Sequence, residues 1–98
     1  AEPREIPLHD KILKWCANQW PRWKVIRARP DKPSGIQVGA QDLTVFSPGG
    51  RVFCVELKSR DGKLSKQQAA WAVEMDMLGH RVHVVRSLRE FLAIVGAA

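Results

Sequence analysis

Gln41-Asp-Leu-Thr-Val-Phe-Ser47, Pro48-Gly49-Gly50 and Arg51-Val-Phe-Cys-Val-Glu-Leu-Lys58 follow one another through the middle of the chain. Two β-rich runs on either side of a Pro-Gly-Gly break predict a β-hairpin. Side chains alternate between the faces of a strand, so Val52, Cys54, Glu56 and Lys58 share one face and Phe53, Val55 and Leu57 the other. On the partner run, Asp42, Thr44 and Phe46 stand together, with Leu43 and Val45 opposite. If the turn closes between Ser47 and Arg51, paired residue numbers sum to 98. Asp42 then lies across from Glu56, their Cβ atoms about 5 Å apart. A slip of one residue would send the two carboxylates to opposite faces.

The flanks extend this pattern. Leu8, Ile12 and Cys16, with Leu13, Ala17 and Trp20 beside them, predict a helix over residues 8–20, opened by Pro7 and stopped by Pro21. Lys24 to Arg29 reads as a strand, and residues 30–41, with two Pro and two Gly, as a loop. After the polar turn Arg60-Asp-Gly-Lys63, Ser65 caps a helix from Lys66 to Leu78 that Gly79 ends. Arg81 to Arg86 is a strand, and the capping box Ser87-Leu-Arg-Glu90 opens a last helix through Val95. The order α-β-β-β-α-β-α predicts an α/β fold, a mixed sheet flanked by helices. Trp71, Met75 and Leu78 have the helical spacing of core residues, and Trp20 and Trp23 are expected in the core or at a dimer contact.

The 98 residues, 45% hydrophobic and 27% charged, fit a single domain over 1–98. Sixteen Lys and Arg against ten Asp and Glu leave a net charge of +6, which favours an anionic partner, nucleic acid first. No run approaches the ~20 apolar residues of a membrane span, so no membrane partner is expected. Ala1-Glu-Pro-Arg-Glu5 has no apolar core of a secretory signal. Cys16 and Cys54, far apart and flanked by apolar residues, are expected to be reduced core thiols, which points to a cytoplasmic setting.

Two carboxylates opposed across a hairpin repel each other, so one must protonate or a cation must lie between them. Asp42, Glu56 and, as a third candidate, the Leu57 main-chain carbonyl make an oxygen-rich site suited to Mg²⁺ or Mn²⁺. Lys58 reaches the same side and could orient an attacking water. Arg60, Lys63 and Lys66 follow closely in sequence, where phosphates would approach. Together these suit phosphodiester hydrolysis. Glu-x-Lys alone is common, and the competing interpretation is a non-catalytic, basic nucleic-acid-binding module whose carboxylates are ordinary surface charges. Gln68 closes a Ser65-x-x-Gln68 capping box, which accounts for it without any site. His80 and His83 have no third ligand nearby, and His9 is a candidate for a group behind the site.

Gly39-Ala-Gln-Asp-Leu43, Val55-Glu-Leu-Lys58, Gly62-Lys-Leu-Ser-Lys-Gln-Gln-Ala-Ala-Trp71 and Gly79 to Phe91, in that order, resemble the virus-type replication-repair nuclease (VRR-NUC) domain of the PD-(D/E)XK superfamily. The resemblance implies a restriction-endonuclease-like αβββαβ core and a Mg²⁺-dependent endodeoxyribonuclease. Asp42 and Glu56 would bind the metal with the Leu57 carbonyl, Lys58 would be the catalytic lysine, and Gln68 matches the active-site glutamine. Glu5 matches an acidic residue near the first helix that joins the metal site, with Glu2 as a rival. The resemblance also implies a homodimer acting on branched DNA such as a Holliday junction, a role in DNA repair, and a phage or bacterial setting. Gln41 stands where the family usually has Pro, which should alter the lead-in to the strand without removing the ligand.

Overall fold

The computed structural model describes residues 7–28 and 38–97. Helix α1 (Leu8–Ala17) is followed by β1 (Lys24–Arg27), β2 (Leu43–Ser47), β3 (Arg51–Leu57), α2 (Lys66–Met77), β4 (Val82–Val85) and α3 (Leu88–Val95). The four strands form one sheet in the order β1-β2-β3-β4. The first two pairings are antiparallel and β3–β4 is parallel, the crossover being made through α2. This is the mixed, helix-flanked α/β sheet expected from the sequence.

The hairpin closes in the expected register, Ser47 against Arg51 and Leu43 against Val55. Pro48–Gly50 forms a tight turn in which Gly49 and Gly50 have φ of +80° and +73°. Residues with a Cβ rarely adopt that region, so the two glycines fix where the hairpin turns and hence its register. The odd-numbered residues Leu43, Val45, Phe53, Val55 and Val85 face Ile12 and Cys16 of α1 and Phe91 and Val95 of α3, forming the buried core. Each large side chain sealed there contributes about 1.5–3 kcal/mol. Trp15 packs edge-on against Trp23 and Phe91, with ring centroids 4.9 and 5.9 Å away. Burial pushes the Cys16 thiol up to about 11 and raises Cys54 as well, so neither is a ready nucleophile.

Several boundaries differ from expectation. Helix α1 stops at Ala17 with Asn18 as its cap, three residues before the predicted end, and Trp20 is 96% exposed. The residue before a proline avoids helical backbone, so Pro21 acts upstream of itself. Trp23, by contrast, packs against the core. In α3, Ser87 Oγ accepts from Glu90 N–H at 3.1 Å, while the Glu90 carboxylate accepts from Arg86 N–H rather than from Ser87.

The largest correction concerns α2, which contains no buried residue. Trp71 and Met75 are half-buried and Leu78 is 73% exposed, so they are not the core residues their spacing predicts. The helix lies on the sheet face opposite α1 and α3, and its closest ties are polar. Its first turn is held by a capping box, Gln68 N–H to Ser65 Oγ (3.1 Å) and Ser65 N–H to Gln68 Oε1 (2.9 Å). Gly39, at φ +84°, packs so tightly on that turn that a Cβ would run into the Gln67 carbonyl. Gly39→Ala should therefore displace α2 and destabilise the protein by about 2–4 kcal/mol, combining overpacking with left-handed strain. Urea denaturation measures this, and a midpoint equal to wild type would show that α2 moves away at no cost. Among the described residues, no helix is long and apolar enough to cross a membrane.

Candidate active site

The end of the hairpin remote from its turn brings together four of the residues singled out in the sequence. Asp42 lies one residue before β2, and the ladder continues past it through Ala28 N–H to its carbonyl (2.8 Å). Glu56 is on β3, Lys58 one residue beyond it, and Gln68 in the first turn of α2. The Lys58 N–H donates to the Val85 carbonyl at 3.1 Å, which carries the parallel β3–β4 ladder past the end of the strand.

Glu56 is the one buried charged or polar residue among those described, 2% exposed. Its Oε1 accepts from Gln68 Nε2 at 3.0 Å and lies 4.0 Å from Lys58 Nζ. Burial pushes the Glu56 carboxyl up to about 8; the neighbouring Asp42 carboxyl adds to the rise and Lys58 opposes it. Asp42 is half-buried, and its Oδ2 accepts from the Leu57 N–H at 2.7 Å. Gln68 thus spends one side chain twice, its oxygen capping α2 and its nitrogen holding Glu56. The capping and site interpretations of this residue are therefore compatible.

Gln41, just before Asp42, has a structural task. Its Oε1 accepts from Trp71 Nε1 at 2.8 Å and its Nε2 donates to Thr44 Oγ1 at 3.0 Å. The residue before Asp42 is therefore fastened to the helix that carries Gln68. A local sequence pattern could not reveal this link, because its partners lie 30 residues apart.

Arg60, Lys63 and Lys66 are exposed around the turn after Lys58. On the α1 side, an open pocket of about 230 Å³ is lined by His9, Arg27, Ala28, Asp42, Leu43 and Leu57. It touches Asp42 but not Glu56, and His9 is paired there with Asp10 at 3.0 Å. Glu5 and Glu2, the expected acidic contributors from the N-terminal side, lie outside the described residues. Among the described residues, no three His, Cys, Asp or Glu side chains cluster as a metal-binding group. For a cation, the candidate donors are then the Asp42–Glu56 pair and main-chain oxygens. Their oxygen chemistry fits a hard divalent cation, whose charge would oppose the rise that burial and Asp42 impose on the Glu56 carboxyl.

The sequence matches no protein-family model and no curated relative. Among solved structures, the chain is similar to one described as a VRR_NUC domain, with a TM-score of 0.66 and 22% identity over 89% of this chain and 92% of that one. The fold is thus that of a VRR-NUC domain, a restriction-endonuclease-like mixed sheet flanked by helices.

Proposed function

We propose that this chain is a divalent-metal-dependent DNA endonuclease. The observation that carries this reading is the buried Glu56 carboxyl, set beside Asp42 and held by Gln68 with Lys58 close by, at the end of a sheet with a VRR-NUC fold. A buried glutamate is an expensive choice here, because the carboxyl must either hold its proton or carry a charge offset only by Lys58 at 4.0 Å.

Asp42 and Glu56 would hold Mg²⁺ or Mn²⁺ with the Leu57 carbonyl as a further oxygen, and Glu5 is the proposed contributor from the N-terminal side. Bound there, the metal would offset the paired carboxylates and polarise a phosphoryl oxygen. Gln68 fixes the orientation of Glu56 through the 3.0 Å hydrogen bond. Lys58 offers N–H donors on the same side, which can orient the attacking water and hold the charge that grows on the phosphate. Water attacks phosphorus, the bond to one ester oxygen breaks, and the water's proton is balanced by protonation of the leaving oxygen. Arg60, Lys63 and Lys66 would take the flanking phosphates, which position the strand without reading bases.

We assign branched DNA, handled by a two-fold homodimer, as the preferred substrate. The resemblance of the site motifs supports this. So do the apolar side chains of Ile26, Phe46, Val52, Val73 and Met77, 38–81% exposed, which offer surface for a second copy. The test is cleavage of linear, flap and four-way-junction DNA with Mg²⁺ or Mn²⁺, alongside sedimentation. Nicking that needs the metal and is fastest on the junction is the expected result. Salt-sensitive binding with no cleavage under any condition would favour the non-catalytic binding module instead.

A further inference from the structure

Arg86 is an exposed arginine that turns back onto its own chain. Its Nη1 donates to the main-chain carbonyls of Ser59 (2.6 Å) and Gly62 (2.7 Å) and approaches that of Arg60 (3.3 Å). These carbonyls belong to the turn that leaves Lys58, which Gly62 N–H closes on the Ser59 carbonyl at 3.1 Å. A Cβ at Gly62 would approach Ser59 Oγ at 2.9 Å, so the turn is tight as well as tethered. At the other end of the tether, Arg86 N–H donates to the Glu90 carboxylate at 2.9 Å, in the first turn of α3. A chain of hydrogen bonds therefore runs from the start of α3, through Arg86, into the turn that bears Arg60 and precedes Lys63.

We propose that Arg86 is a positioning residue that holds this turn so that Arg60 and Lys63 meet the phosphates of bound DNA. The inference rests on the nuclease reading for its ligand, but not on catalysis. The physical reason is entropic: a polar turn in water samples many shapes, and ordering two cationic side chains on binding costs affinity unless the backbone is already set. A charged donor gathering several carbonyls is among the stronger ways to set it. Lys58 is held separately by its main-chain bond to Val85, so loss of Arg86 should raise KM much more than it lowers kcat.

The discriminating experiment is a double-mutant cycle. Binding of a short fluorescein-labelled DNA duplex is measured by anisotropy for wild type, Arg86→Ala, Arg60→Ala/Lys63→Ala and the combined variant. Ca²⁺ replaces Mg²⁺ so that cleavage does not interfere. Arg86→Ala should weaken binding about tenfold alone, but have little further effect once Arg60 and Lys63 are gone. Millimolar guanidinium ion should recover part of the loss in Arg86→Ala, and the same concentration of NaCl should not. An equal loss in both backgrounds would mean that Arg86 touches DNA itself, and no loss at all would mean that the turn needs no tether. Either result overturns the proposal. Should the wild type bind but never cleave, the nuclease reading fails while the cycle still decides the role of Arg86.

Discussion

Asp42→Asn is expected to reduce metal-dependent DNA cleavage by about three orders of magnitude, near 4 kcal/mol of transition-state stabilisation, while leaving the fold intact. Asparagine keeps an oxygen for the Leu57 N–H that Asp42 Oδ2 accepts at 2.7 Å, so the hairpin end need not rearrange. What disappears is one of the two negative charges that would recruit the proposed cation. The same change should leave DNA binding unaltered or tighter, because it removes repulsion from the phosphates. Lys58→Ala should lose about 10²–10⁴ in rate, the usual scale for a positioned proton-handling group. Gln68→Glu separates the two tasks of that residue. Glutamate can still accept from Ser65 N–H and cap α2, but it loses the donor to Glu56 and sets another carboxylate beside it, so cleavage should fail and some stability be lost while α2 keeps its cap. Single-turnover rates with denaturation curves measure all three. An Asp42→Asn protein that cuts at the wild-type rate would refute the metal pair.

The hairpin shows how far local patterns reach. A Pro-Gly-Gly break between alternating strands sets a register, and a register determines which side chains share a face. Asp42 and Glu56 could therefore be paired from residue numbers alone, and the observed Ser47–Arg51 closure agrees. Helix α2 marks where this reasoning stops. Spacing identified the helix and its cap, yet Trp71, Met75 and Leu78 are not sealed in the core. The face beneath α2 carries Glu56, and the helix is held by Gln68, by Trp71 to Gln41, and by the close approach of Gly39. Hydrophobic periodicity reports the chance of burial, but these are polar and steric ties that it does not register. Arg86 escaped notice for the same reason. Its partners are main-chain carbonyls 24 to 27 residues away, and no residue type announces that a turn will offer them.

Glu56 also predicts how the metal-free protein responds to pH. Its carboxyl is raised from an ordinary value of 4.5 to about 8, chiefly by burial, with Asp42 adding to the rise. Between those values the folded chain holds a proton that the unfolded chain has released, so unfolding releases a proton and stability falls as pH rises. The protection is complete below about 4.5 and lost through about 8. Its size is on the order of 5 kcal/mol, about 1.4 kcal/mol for each unit. Urea midpoints in EDTA should therefore decline from pH 5 to pH 9. Glu56→Gln, which keeps an oxygen for Gln68 Nε2, should flatten that decline and be more stable than wild type at pH 8. Mg²⁺ should reverse the trend in the wild type, because a cation between the carboxylates favours the ionised form and stabilises the folded state by mass action. The metal-induced rise in melting temperature should thus grow between pH 6 and 8 and vanish in Glu56→Gln. A buried glutamate with a purely structural role would show the first slope but not the metal response, so the two measurements together separate a metal ligand from a strained core residue.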